Sequence, residues 1–184
     1  MLGAPFAERG AVLDEYLALW QTLWSEPIPE FHGRFVDLPP CRFGPLPAQR
    51  GGPPVSIGGN KARSLRRAAA GGWGWHAFRL DSASIAARTA AFERYWHAAG
   101  RDHEELRVIM RCHLDLSLTA SDFSDGVPGW WIVGPHDRAA ETISAFSDAG
   151  VTDLVVTPSP GKSLSERADA LAEFAGAFVA VECP

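Results

Sequence analysis

Apolar residues along this chain recur in two rhythms, one of about 3.6 residues and one of two, and the changes between them mark out the elements. Leu13, Tyr16, Leu17, Trp20, Leu23 and Trp24 fall at helical spacing over residues 8–25, an amphipathic helix with a broad aromatic face that Pro27 and Pro29 end. Residues 31–38 and 41–43 alternate weakly around Pro39 and Pro40, predicting an extended excursion or an irregular hairpin. Residues 54–57 (Pro-Val-Ser-Ile) are a short β-branched run ended abruptly by Gly58 and Gly59, as at the carboxyl end of a buried parallel strand. Residues 60–70 then read as helix, with Asn60 placed to cap it and Gly71 or Gly72 to stop it.

Residues 73–78 form an aromatic strand, and 82–99 a helix carrying Ile85, Thr89, Phe92 and Trp96 on one face, closed by Gly100. Residues 106–118 have strand composition, 119–129 are a polar loop, and Trp130 to Gly134 are briefly extended. A helix at 137–149 stops at Gly150, a strand follows at 151–157, and Ser163 and Glu166 have capping-box spacing for a last helix. Strands alternating with helices long enough for crossovers predict an α/β chain with parallel strands. About four such strands match half of a (β/α)8 barrel, whose full form needs about 250 residues. A small open doubly wound sheet fits the same order.

Composition narrows the partners. The 184 residues, 46% hydrophobic and 21% charged, predict one soluble domain. A net charge of -5 argues against nucleic acid as the main partner, and no apolar run approaches a membrane span. The early Glu8 and Arg9 leave no room for a signal-peptide core, so a cytoplasmic protein is expected. Cys41, Cys112 and Cys183 are widely spaced, as reduced thiols are, and no His or Cys spacing proposes a metal.

The candidate chemistry centres on residues 53–76. Backbone N–H groups at the helix start after Gly58 and Gly59 suit a phosphate, because bare glycine backbone allows close approach and the helix dipole favours an anion. The same pattern also describes a tight strand-to-helix turn with no ligand. The GxGxxG and GxxxxGK[ST] spacings are both absent, so neither a dinucleotide fold nor an NTPase is supported. Lys61 is near enough the helix start to see a phosphate, whereas Arg63, Arg66 and Arg67 read as a solvated face. His76, after Trp75 at a strand end, faces either a coenzyme or its packed neighbours. His113 and Asp115, two apart on one strand face, either form a hydrogen-bonded acid/base pair or have a structural role, since sharing a face does not ensure contact. No GxSxG elbow is present to support a Ser-His-Asp hydrolase.

Several segments together resemble the bacterial-luciferase-like oxidoreductases: Pro5-Phe6-Ala7-Glu8-Arg9-Gly10, Phe31-His32-Gly33-Arg34-Phe35, Pro45-Leu46-Pro47, Pro53 to Asn60, Gly72-Trp73-Gly74-Trp75-His76, Gly134-Pro135 and Ala149-Gly150-Val151-Thr152. The resemblance covers nearly the whole chain and is greatest to the branch using coenzyme F420, with users of FMN as near relatives. It implies a TIM-type barrel in which 54–57, 73–78, 106–118 and 152–157 are the fifth to eighth strands, the carboxyl-terminal half of a single luciferase-like domain. It further implies that Gly58, Gly59 and Asn60, with Lys61, hold the coenzyme phosphate, and that Trp75 and His76 lie beside the coenzyme.

Two departures qualify the resemblance. Where the family reads Gly-Asp-Gly-Trp, this chain has Gly72-Trp73-Gly74-Trp75. Relatives also carry strands one to four ahead of the point where this sequence begins, and those strands supply the catalytic residues, so none is assigned here. The expected function is hydride transfer or oxygen activation on a small organic substrate by a shortened enzyme; the rival is a non-catalytic half-barrel. A half-barrel leaves two unpaired edges and one bare sheet face, so a homo-oligomer or pairing with another half-barrel is expected.

Overall fold

A computed structural model describes residues 6–102 and 105–178 of the chain. Two compact units are present, Met1–Val55 and Ser56–Pro184. In the first, a 3-10 turn (Phe6–Glu8) leads into helix α1 (Arg9–Ser25), and two short strands, β1 (Phe31–His32) and β2 (Asp37–Leu38), pair antiparallel. The excursion expected there is therefore a hairpin, and a side chain from α1 holds its turn. Glu15 accepts the backbone N–H groups of Arg34 at 2.9 Å and of Phe35 and Val36 at 2.7 Å each. A Cβ at Gly33 would lie 2.1 Å from Glu15 Oε1, so only glycine admits that carboxylate.

The aromatic face expected of α1 is corrected in part. Val12, Leu17 and Leu19 are buried, whereas Leu13, Tyr16 and Trp20 are exposed. Apolar residues run around more of this helix than a single packing surface covers, so periodicity alone overstates its buried face.

The second unit is α/β. Strands β3 (Ser56–Gly58), β4 (Gly74–Phe78), β5 (Val108–Asp115), β6 (Trp131–Val133) and β7 (Asp153–Pro158) form one five-stranded sheet whose pairings are all parallel. Helices α2 (Ala62–Gly71), α3 (Ser82–Ala98), α4 (His136–Asp148) and α5 (Leu164–Phe178) alternate with the strands. β7 pairs with β5 over residues 109–114, while β4 and β6 meet β5 over residues 108–111 and 113–115 respectively. The extended run at Trp130 to Gly134 is thus a sheet strand in its own right.

Local signals explain three of the helix ends. Gly72 sits at φ 68, and Gly72 and Trp73 donate to the carbonyls of Ala69 and Ala68, the paired bonds of a Schellman stop for α2. Asp81 accepts the Ser84 N–H at 2.6 Å and caps α3. The capping box at Ser163 forms as expected, with Glu166 accepting the Ser163 N–H at 2.7 Å.

Alternation along the strands divides the sheet into two faces. Trp75, Ala77, Val108, Met110, Cys112 and Leu114 are buried, and Trp75 meets Phe92 of α3 edge-on at 6.3 Å, with Trp96 beyond it. Ala68 and Ala69 of α2 are also buried. On the other face lie His76, Phe78, Ile109, Arg111 and His113. Phe78 and Val155 are 46% and 41% exposed, so that face is not a closed core. Among the described residues no helix is long and apolar enough to cross a membrane, and no cluster of His, Cys, Asp or Glu forms a metal site.

Candidate functional site

Parallel pairing sets the register that builds the site. Gly58 lies beside His76, and Phe78 lies beside Arg111. A cleft of about 460 Å³ opens beside these residues, lined by Gly58, His76, Phe78, Arg79, Arg111, His113 and Trp130. It lies on the sheet face that carries His76, Phe78, Arg111 and His113, toward the carboxyl ends of β3 and β4.

The glycine turn is shaped by its neighbours. A Cβ on Gly58 would meet nothing within 4 Å, so the fold itself places no demand for glycine there. Gly59 is different: its φ is 118, and a Cβ there would stand 2.5 Å from Ser64 Oγ. The first bond into α2 runs from Ser64 N–H to the Lys61 carbonyl at 2.9 Å, leaving the preceding amides of residues 60–63 ahead of the helical ladder.

Asn60 does not cap α2, contrary to expectation. Lys61 occupies the cap position and makes no side-chain capping bond. The Asn60 side chain instead donates to the Phe78 carbonyl at 2.9 Å, drawing the turn toward the end of β4, and Arg88 donates to the Asn60 carbonyl at 3.2 Å. An asparagine side chain bonds a backbone carbonyl across the sheet as readily as it caps a helix, and only the tertiary fold chooses between them. Trp75 is fully buried, and its indole N–H donates to the Gly59 carbonyl at 2.9 Å. Of the six residues expected at a coenzyme, Gly58 and His76 therefore line the cleft, Gly59, Asn60 and Trp75 form and hold the turn beside it, and Lys61, exposed at the α2 cap, does not line it.

His76 is half-buried. Burial, followed by the positive charge of Arg111, pushes its pKa down and favours the neutral imidazole. Arg111 is tethered by its Nε–H to Thr157 Oγ1 at 3.3 Å. His113 stands 5.0 Å from the Trp131 ring, and its Nδ1 is buried with no partner.

The His113–Asp115 pair does not form. Asp115, 1% exposed, accepts from Lys162 Nζ at 2.7 Å and from the Ser117 hydroxyl at 2.6 Å, while its other oxygen has no partner. Two residues apart on a strand share a face, but a lysine from the loop after β7 reaches the carboxylate first. Burial alone would raise the Asp115 pKa; the bonds from Lys162 and Ser117 outweigh it and hold the group below its ordinary value.

Phe78, Arg79, Arg111 and Trp130 are cleft residues that the pattern reading did not single out. Arg111 was accessible to it, since Ile109, Arg111 and His113 alternate on one face of β5. A second cleft of about 370 Å³ lies beside α4, but its polar groups are already used: Asp81 caps α3, and Arg138 pairs with Glu141 at 3.0 Å.

Residues 1–123 match the model of the luciferase-like monooxygenase family. The chain belongs to this family. Over 74 residues it is 40% identical to proteins of Mycobacterium tuberculosis and Mycobacterium bovis, a stretch amounting to 40% of this chain and 25% of theirs. A monooxygenase from Streptomyces bottropensis superposes with TM-score 0.74 at 19% identity, over 95% of this chain and 62% of that one. An F420-dependent secondary alcohol dehydrogenase, solved with an F420–acetone adduct, gives 0.73 at 14% identity over 92% and 62%. A riboflavin lyase solved with modified FMN gives 0.68 at 12% identity over 97% and 60%. The luciferase-like chain thus spans about three fifths of these structures' length, and they share its α/β fold.

Proposed function

We propose that this luciferase-like chain is the carboxyl-terminal part of a TIM-type barrel oxidoreductase that uses coenzyme F420, with FMN as the alternative. The observation that carries the reading is Gly58: its missing side chain faces open cleft beside a helix start, and nothing in the chain itself requires the gap. A phosphate fits there, with backbone N–H groups of residues 60–63 as donors and Lys61 at the helix cap. Gly58 gives the approach, Gly59 makes the turn, and the bonds from Asn60 and Trp75 keep it in place. His76, held toward its neutral form, sits one strand away on the same face. When bound, the coenzyme supplies the redox chemistry; the residues here bind its phosphate, orient it and wall off one side from water.

The sheet face with Phe78 and Val155 exposed supports the partial-barrel reading, since a barrel interior is a packed surface. The remaining wall comes from further barrel strands, on a longer polypeptide or on a second copy of this chain. Titration with F420 and with FMN, followed by fluorescence, tests the reading. Saturable binding of one is expected, weakened at least tenfold in Gly58→Val, a substitution with room for its Cβ and a strand-favouring residue. Absence of saturable binding to either, or full binding by the variant, overturns it.

A further inference from the structure

The cleft is basic in an acidic chain. Against a net charge of -5, the ionisable groups lining it are Arg79, Arg111, His76 and His113, and no carboxylate is among them. Among the described residues neither Arg79 nor Arg111 forms an ion pair with an acid, whereas Arg34, Arg107 and Arg138 all do. Two guanidinium groups left for one cleft, one just after β4 and one on the neighbouring β5, are the donors that planar oxyanion recognition needs.

Arg79 carries a second signal. It is the one non-glycine among the described residues with positive φ, at 51°, immediately after the last residue of β4. Glycine adopts that conformation without the clash an L side chain meets, so the fold has a cheaper residue available at this position. Strain kept at a cleft wall goes with a side chain that has work there. Arg111 is oriented by Thr157 from the neighbouring strand, and its charge is felt at His76. Phe78 and Trp130 give the same cleft apolar surface.

We propose that Arg79 and Arg111 form an oxyanion subsite in this cleft, taking the carboxylate or phosphate of a small organic anion whose apolar body lies against Phe78 and Trp130. This names the substrate class of the site proposed above, and it rests on that reading only in calling the ligand a substrate; anion binding stands on the cleft itself. The coenzyme phosphate is the other source of the same chemistry. The glycine turn, at the Gly58 side of the same cleft, has backbone N–H donors of its own for it, which leaves the two arginines for a second anion.

Benzoate and inorganic phosphate, titrated into the full chain with the histidine ring resonances as readout, test the subsite. Benzoate is expected to saturate and to move the His76 and His113 signals. Its binding falls at least tenfold in Arg79→Gly and in Arg111→Gln and persists in Gly58→Val and with F420 bound. Arg79→Gly is also expected to raise the melting temperature, because it releases the strained backbone; a fall would assign Arg79 a structural role and overturn its place in the subsite. Absence of benzoate binding, or binding unchanged in both arginine variants, overturns the proposal. Phosphate binding that F420 displaces, with no benzoate binding, assigns the arginines to the coenzyme and likewise overturns it. Failure of Gly58→Val to weaken F420 would instead count against the glycine turn and leave the anion result intact.

Discussion

The indole N–H of Trp75 donates to the Gly59 carbonyl at 2.9 Å, from a side chain with no exposed surface. The hydrophobic core of the sheet and the glycine turn at its carboxyl end are thereby one construction. Trp75 packs against Phe92 on the helix side and fixes the turn through its single polar atom.

Trp75→Phe is expected to lower stability by about 2–4 kcal/mol, combining a core cavity with an unpartnered carbonyl. Urea unfolding measures this directly. The same variant is expected to weaken the proposed coenzyme binding more than a core variant of similar cost such as Ile85→Ala, since only the former frees the Gly59 carbonyl. Equal effects would show that the turn does not depend on the indole.

Lys162 and Asp115 tie the loop after β7 to the end of β5, with the carboxylate buried and the ammonium mostly so. Lys162→Met leaves that carboxylate uncompensated and is expected to cost about 3–5 kcal/mol. Adding Asp115→Leu to it is expected to restore part of the loss, because an apolar pair of similar volume removes the desolvation penalty. The Asp115 pKa is depressed in the fold, so its contribution is full above the unfolded value near 4 and is lost as pH falls through the lower folded value. Acid titration of stability in wild type and in the double variant reads the difference, which is expected only on the acid side.

Glu15 holds three backbone amides of the hairpin turn. Its partial desolvation would raise its pKa, but the N–H groups of Phe35, Val36 and Arg34 together lower it. The hairpin contribution is therefore complete above the ordinary glutamate value and declines as pH drops through the folded one. Glu15→Ala, which removes both acceptor oxygens, is expected to remove protection from exchange at Arg34, Phe35 and Val36 together while leaving the amides of β5 protected. Loss of protection at only one of the three would break the claim that a single carboxylate organises the turn.

Periodicity and punctuation determined the order and type of the elements. A strand ends where Gly58 begins its turn, α2 stops at Gly72, and Ser163 and Glu166 start the last helix, because each depends on residues within a few positions of one another. The family resemblance was legible in the same way, as short segments in a fixed order. The sheet register, and with it the cleft, needed the tertiary structure. Asn60 has a local role and a distant one open to it, and the Phe78 carbonyl, 18 residues away, takes it. Asp115 has a histidine two residues before it, yet Lys162, 47 residues on, holds its carboxylate. Arg79 and Arg111 become neighbours of one cleft only when β4 and β5 lie side by side. Local sequence carries backbone preference and burial pattern, both short-range quantities. Which polar groups meet across the sheet depends on strand pairing and loop closure, and those are settled by the packed chain as a whole.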